Sequence, residues 1–314
     1  MAPLIYCRQP DGEGATPSGS PYYPTVSYLL ALAAALFYGA GDFTGGLATR
    51  RAATLPVVLL SQLSGLVLLA ALLPVLPPAS PSRTDFLWGA LAGVTGGIGV
   101  ALLYRALAIG RMAVVAPTTA VCAVALPVLV SVALGERPGI VAAVGIVVGL
   151  AAIVLVSQET AAAAPAEAGG PAARGRFPPG VGIALISGVA IGCFFLALAR
   201  SGSDAGMWPI LAARATSVLL FGAAVAARRE SIRLPGVLGL TLLCGALDML
   251  ANALYLLASR AGPLSVMVTL ASLYPASTVL LARVVLHERL NSRQIAGVAC
   301  ALAAILLIVG GGSP

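Results

Sequence analysis

The chain has no lysine, one histidine and only eleven acids, and charged residues make up 9% of its 314 positions. An average soluble protein carries about 25%. Eighteen arginines and eleven acids cannot cover the exterior of a water-soluble fold of this size, so a soluble enzyme is excluded. A histidine-based triad or histidine metal cluster would have to rest on His287 alone. The five cysteines (Cys7, Cys122, Cys193, Cys244 and Cys300) show no CxxC spacing, and four of them lie inside apolar runs. They read as small core residues, and neither a disulfide nor a metal site is expected. No GxxxxGK[ST] loop is present, which excludes ATP-driven pumping by this chain alone.

What the chain has instead is hydrophobicity: 59% apolar residues and a mean hydropathy of +1.00. Disorder over most of its length is excluded by the same numbers. The net charge of +7 comes from arginines scattered between apolar runs. This is the pattern of loops between membrane spans, and nucleic acid is not an expected partner. The composition points to an all-α polytopic membrane protein.

Ten apolar stretches occur at 26–47, 54–76, 86–108, 112–135, 139–157, 180–200, 206–227, 235–258, 263–286 and 292–311. Each is near the ~20 residues that a helix needs to cross about 30 Å of hydrocarbon. None alternates as a barrel strand would. Residues 1–25, rich in proline, glycine and serine, read as a flexible tail. The first stretch lacks the basic leader of a signal peptide, so it is expected to stay as a span. Residues 158–179 are alanine, proline and glycine with a few charges, and read as a linker. The chain thus divides into two five-helix repeats, 26–157 and 180–311.

The halves repeat at an offset of 152 residues. Residues 101–156 align on 253–308 without a gap, with 16 identities in 56 positions, among them Gly110 on Gly262, Glu136 on Glu288, Arg137 on Arg289 and Gly145 on Gly297. Five spans per repeat force the second to enter the membrane from the opposite side. The expected architecture is ten transmembrane helices as two inverted five-helix repeats, from which many secondary transporters are built.

Two segments carry a family likeness. They are ALLYRALAIGRMAVVAPTTAVCAVALPVLVSVALGERP at 101–138 and DMLANALYLLASRAGPLSVMVTLASLYPASTVLLARVVLHERL at 248–290. Each ends a proline-containing helix in Gly/His-Glu-Arg. In the first half the position equivalent to Pro275 is Ala123, with Pro127 four residues on. The chain resembles the EamA-like transporters of the drug/metabolite transporter superfamily over residues 26–311. The resemblance implies the fold and a transport activity, and it implies cytoplasmic termini.

Only two acids, Asp42 and Asp248, lie inside spans. A charge at the bilayer centre costs about 2.5–3.5 kcal/mol on insertion scales, which makes both functional candidates. Asp248, Asn252 and Tyr255 form an i, i+4, i+7 stripe, extended by Thr241, Cys244 and Ser259. This stripe serves either as a substrate or proton site or as a hydrogen-bond network joining helices. Asp42 has Tyr38 four residues before it and glycines around it. Arg214 lies well inside span seven, placed to pair with Asp248 or to clamp a substrate carboxylate. Arg105 and Arg283 are near enough to span ends to snorkel. Glu136, Arg137, Glu288 and Arg289 end spans four and nine and read as structural or gating contacts. Pro117, Pro127 and Pro275 fall inside spans four and nine, where each removes a backbone hydrogen bond and favours a kink.

The reading is a multi-pass plasma-membrane transporter that moves a small organic metabolite or drug-like solute by alternating access. Efflux is the expected direction, with a proton at Asp248 as the candidate coupling. The lipid bilayer, the solute and protons are the expected partners, for a monomer or a homodimer with no cofactor. An uncoupled uptake facilitator and a non-transporting subunit or sensor are the alternatives. Orientation is contested within the sequence. Ten arginines near span ends lie on the face opposite the termini and five on the terminal face, which by the positive-inside rule argues against cytoplasmic termini.

Overall fold

The computed structural model describes residues 24–133, 140–158, 179–261, 267, 270, 271 and 273–310. Those residues form α-helices joined by short turns. In chain order they are α1 (Pro24–Thr49), α2 (Thr54–Leu72), α3 (Arg83–Ile109), α4 (Met112–Ala133), α5 (Ile140–Gln158), α6 (Val181–Leu198), α7 (Trp208–Arg228), α8 (Leu238–Ala261), α9 (Tyr274–Val285) and α10 (Ser292–Gly310). Short 3-10 turns follow α2 (Leu73–Val75) and precede α7 (Ser203–Ala205). Among the described residues six helices are long and apolar enough to cross a membrane, within α1, α2, α3, α6, α7 and α8. Shorter apolar helical stretches lie at Met112–Pro127, Tyr274–Val285 and Ile295–Leu307. Among the described residues no strand occurs.

Alanines make up much of the buried interior, alongside larger side chains such as Leu69, Leu107 and Met249, and many leucines and valines face outward. Alanines 31, 34, 48, 92 and 106 are fully buried, whereas Leu29, Val67 and Leu219 stand exposed. Helices in lipid gain little from hiding leucine from one another, so small residues that allow close backbone approach hold their contacts. Hydroxyls add hydrogen bonds to carbonyls of neighbouring helices. Ser217 donates to the Gly93 carbonyl at 2.7 Å, Ser187 to Gly99 at 2.7 Å, Ser64 to Leu242 at 2.8 Å and Thr278 to Gly39 at 3.1 Å.

Most of the large helix contacts follow the sequence repeat, while α4–α10 and α1–α3 have no comparable counterpart among the described residues. The pairs α1–α8, α1–α9 and α2–α8 are matched by α6–α3, α6–α4 and α7–α3, while α2–α7, α4–α9 and α5–α10 are their own counterparts. The match reaches single residues. A Cβ on Gly93 would strike the Ala213 carbonyl, and one on Gly245 would strike the Ser61 carbonyl. Both residues of the second contact stand 152 positions from those of the first.

The contacts also fix helix directions. Gly89, Gly93 and Gly97 of α3 meet Pro209, Ala213 and Ser217 of α7 in ascending order, so α3 and α7 run in the same sense. Gly96 lies against Phe194 and Gly99 against Ile191, so α3 and α6 are antiparallel. Gly222 lies beside Leu59, Arg214 beside Gln62, and Met207 in a cluster with Leu69, so α2 and α7 are antiparallel.

Pro275 lies in the first turn of α9, after the N-cap Leu273 and just past the turn that follows the helical residues 270 and 271. There its missing N–H has no partner to lose and its fixed φ suits the helix. Pro117 and Pro127 do lie inside α4. Glu136 and Arg137 fall outside the described residues.

Candidate functional site

The site is built where α1, α2, α7 and α8 cross. The middle of α8 presents Asp248, whose carboxylate Oδ2 forms an ion pair with Nη2 of Arg214 on α7. Nη1 of the same guanidinium donates to Oε1 of Gln62 on α2 at 2.5 Å. Asn252, one turn along α8, donates to the Asp248 backbone carbonyl at 2.7 Å and reaches its Oδ2 at 3.4 Å. Asp248 keeps 28% of its side chain exposed and Arg214 13%, so the pair is largely withdrawn without being sealed. A buried ion pair persists only when further hydrogen bonds satisfy its remaining donors and acceptors. Gln62, itself buried, and Asn252 supply them.

Glycines set how closely these helices approach. Gly41 of α1 faces Asp248, and a Cβ there would lie 3.7 Å from that of the acid. Gly65 of α2 lies under Arg214, where a Cβ would be 3.6 Å from Cζ. One turn before Asp248, the Cys244 thiol and the Tyr104 hydroxyl of α3 are 3.0 Å apart. Tyr38 of α1 and Tyr274 of α9 meet edge to face at 6.2 Å. Asp42 of α1 lies within electrostatic range of Tyr38, Tyr104, Tyr274 and Cys244.

The structure therefore brings together Asp248, Asn252 and Arg214, and places Tyr38 and Asp42 beside them. Tyr255, like Tyr274, packs against the cluster of Ala120, Val121, Ala152, Ala301 and Ile305, and it lies within electrostatic range of Tyr38. Arg105 and Arg283 are exposed, as their positions near helix ends suggest. The sequence reading missed Gln62, Tyr104 and Tyr274. Gln62 had a legible signal: it stands 152 residues before Arg214, so the two are the same position of the two repeats.

Glu288 is placed away from this cluster, at the start of α4. It accepts from the backbone N–H groups of Met112 at 3.1 Å and Ala113 at 3.2 Å, and pairs with Arg50 at 3.4 Å. A carboxylate there satisfies orphan donors and matches the positive end of the helix dipole. Its neighbour Arg289 contributes its backbone carbonyl, which accepts from Arg111 at 2.5 Å. His287 makes this delivery possible. It takes a left-handed φ of 53°, and the turn closes with the Glu288 N–H on the Ala282 carbonyl at 3.2 Å. At the other end of the bundle, Asp85 forms a capping box with Ser82 and accepts from Gly202 at 2.6 Å. Each of these acids ties one half of the chain to the other.

Comparison with known proteins gives two findings. Residues 25–158 and 178–310 each match the EamA-like transporter family. A crystal structure of a protein is similar in fold, with a TM-score of 0.51 at 19% identity, over 92% of this chain and 95% of its own. No curated protein matches the chain.

Proposed function

The chain belongs to the EamA-like transporter family, and from that premise we propose that it is a secondary transporter that exports a small organic solute across the plasma membrane by alternating access, exchanging it for a proton at one of the two span acids. A multi-pass membrane protein that handles small solutes is what the family membership gives. The finer reading is ten spans in two inverted repeats, 26–157 and 180–311, joined by a linker at 158–179. Helix direction supports it. α1 and α2 are joined by the short turn at 50–53, α2 opposes α7, α7 runs with α3, and α3 opposes α6. The equivalent helices α1 and α6 then point in opposite senses, as inversion requires.

One observation carries the functional reading: the Gln62–Arg214–Asp248–Asn252 constellation withdrawn among the helices, with Tyr38 and Asp42 alongside. Charges inside a membrane are kept where ions or solutes pass. The pair joins α7 to α8, and Gln62 ties it to α2, so both repeats meet at these side chains. A solute that binds one arrangement of the halves better than the other shifts the equilibrium between them.

The test is transport by the purified protein in proteoliposomes under an imposed pH gradient, after a thermal-stability screen against metabolites and drug-like solutes. A ligand at a hundred times its dissociation constant stabilises by about 2.7 kcal/mol. The expected result is solute movement driven by the gradient and lost in both Asp248→Asn and Asp42→Asn. Unchanged, still proton-driven transport in both variants would sink the coupling. Transport indifferent to the gradient would identify an uncoupled facilitator instead.

A further inference from the structure

A cavity of about 310 Å³ lies at the end of the bundle where α1 and α7 end and α2 and α8 begin. The turn at 50–53 and the segment 230–237 build most of it. Arg51, Glu230, Ser231 and Arg233 are among its polar lining, and Pro56 and Leu234 among its apolar lining. Oε2 of Glu230 is buried and accepts no hydrogen bond among the described residues. The guanidinium groups of Arg51 and Arg233 form no ion pair or hydrogen bond among them either.

The equivalent junction at the opposite end of the bundle is shut. There the Ser80 N–H donates to the Asp204 carbonyl at 2.9 Å, and the Gly202 N–H to Asp85 at 2.6 Å. Their counterparts 152 positions away are Ile232 with Ala52, and Arg50 with Val237. No hydrogen bond joins either pair among the described residues. Arg51, Glu230 and Arg233 stand where the shut junction has Ser203, Pro78 and Pro81. The open junction and the charged lining occur together, at one end only.

We infer that this cavity is a headgroup site for an aminophospholipid, in which a phosphate diester is joined to a primary ammonium. Arg51 and Arg233 supply the cationic donors that a phosphate takes up. Oε2 of Glu230 accepts an N–H from the ammonium, which relieves the cost of a buried acceptor without a donor. A choline headgroup has the same charges and no N–H to give. A glycerol headgroup has hydroxyls and no cation to oppose the carboxylate. The place selects a membrane lipid over a soluble aminophosphate, because basic pockets between spans at the membrane face hold headgroups. Ile232 beside the cavity, and Leu238 and Leu242 on the first turns of α8, stand exposed where acyl chains would lie. This site asks nothing of the Asp248–Arg214 pair and holds whichever solute is carried.

The experiment titrates the full-length protein in detergent with phosphatidylethanolamine, phosphatidylcholine and phosphatidylglycerol of identical acyl chains, and with soluble phosphoethanolamine. Thermal unfolding reads binding, and each variant is compared with and without lipid, so that lost binding is separated from lost folding. Phosphatidylethanolamine is expected to bind best, about tenfold tighter than phosphatidylcholine, the value of one charge-assisted hydrogen bond. Glu230→Gln is expected to remove that lead. Arg51→Gln/Arg233→Gln is expected to weaken all three lipids, and Arg83→Gln, at the opposite end, to change nothing. Equal binding of phosphatidylethanolamine and phosphatidylcholine, a lead for phosphatidylglycerol, or a lead for phosphatidylethanolamine that survives Glu230→Gln overturns the headgroup assignment. A full lipid response in the double arginine variant overturns the site. Phosphoethanolamine binding as well as the whole lipid overturns the lipid source and identifies a soluble aminophosphate.

Discussion

The α1–α8 and α3–α6 contacts occupy equivalent places in the two repeats and have opposite chemistry. In the first, Gly41 leaves room for Asp248, and tyrosines and a thiol gather nearby. In the second, the residue equivalent to Asp248 is Gly96, and the Phe194 ring fills the ground above it, with a Cβ on Gly96 only 2.6 Å from Cδ2. Ser187 then closes the same contact on the Gly99 carbonyl. One crossing is polar and the other is dry. Duplication supplied the scaffold twice, and divergence placed the charged chemistry on one side of it. The two-fold relation survives in backbone packing, where glycine approach dictates it, and is lost in the side chains at these two crossings.

The largest expected effect comes from breaking the polar crossing at its centre. Arg214→Ala leaves Asp248 without its counter-charge and Gln62 without its donor. Removing one partner of a buried pair costs about 3–5 kcal/mol. The residual exposure of Asp248 puts the expected value near the lower end. Denaturant unfolding in detergent should show it. The double variant Arg214→Leu/Asp248→Leu should recover much of that loss while transport stays abolished. Stability unchanged in Arg214→Ala would mean that the pair does not join α7 to α8.

The repeat itself is tested next. Gly93→Ala and Gly245→Ala place the same methyl against equivalent carbonyls, of Ala213 and Ser61. Overpacking of this kind costs about 1–3 kcal/mol. The two losses should be of similar size and, for sites this far apart, should add in the double variant. Gly182→Ala and Gly239→Ala meet nothing within 4 Å and should be neutral or stabilising by about 0.5–1 kcal/mol, because glycine is costly inside a helix. A large difference between Gly93→Ala and Gly245→Ala would break the equivalence of the halves.

The sequence showed the scaffold more readily than the site. Apolar runs of span length marked where helices α1 to α8 and α10 lie, because backbone groups in lipid must pair within their own segment. The register of the repeat was legible in Gly110, Glu136, Arg137 and Gly145. Arg214 and Asp248 were legible because charges are rare inside spans. Tyr104 and Tyr274 were not. Helices apolar on every face give no periodic signal of which side meets protein and which meets lipid, so a lining tyrosine reads like any other. Hydropathy also runs smoothly across 263–286 and does not mark where the helix of Tyr274–Val285 starts, just before Pro275.

Glu288 allows a smaller test of how the halves are tied. Glu288→Ala removes the acceptor for two α4 donors and should cost about 1–2 kcal/mol, the range for a lost N-cap. Arg50→Ala removes only a partly exposed partner and should cost under about 1 kcal/mol. If the two losses were equal, the ion pair would be carrying the contact, and not the helix terminus.

The smallest effect concerns the residue that aims Glu288. His287 holds a left-handed φ of 53°, which costs an L-residue with a Cβ about 1–2 kcal/mol. The equivalent position of the first repeat is Gly135, the residue type that takes this conformation without steric cost. His287→Gly should be neutral to stabilising by up to about 1 kcal/mol, with part of the relief offset by the wider freedom of glycine in the unfolded chain. His287→Val should be destabilising by about 1 kcal/mol or more, since a β-branched side chain tolerates positive φ worst. Both are read from the unfolding midpoint in detergent. If glycine destabilised the protein as much as valine, the histidine ring, and not the backbone turn, would be what the position requires.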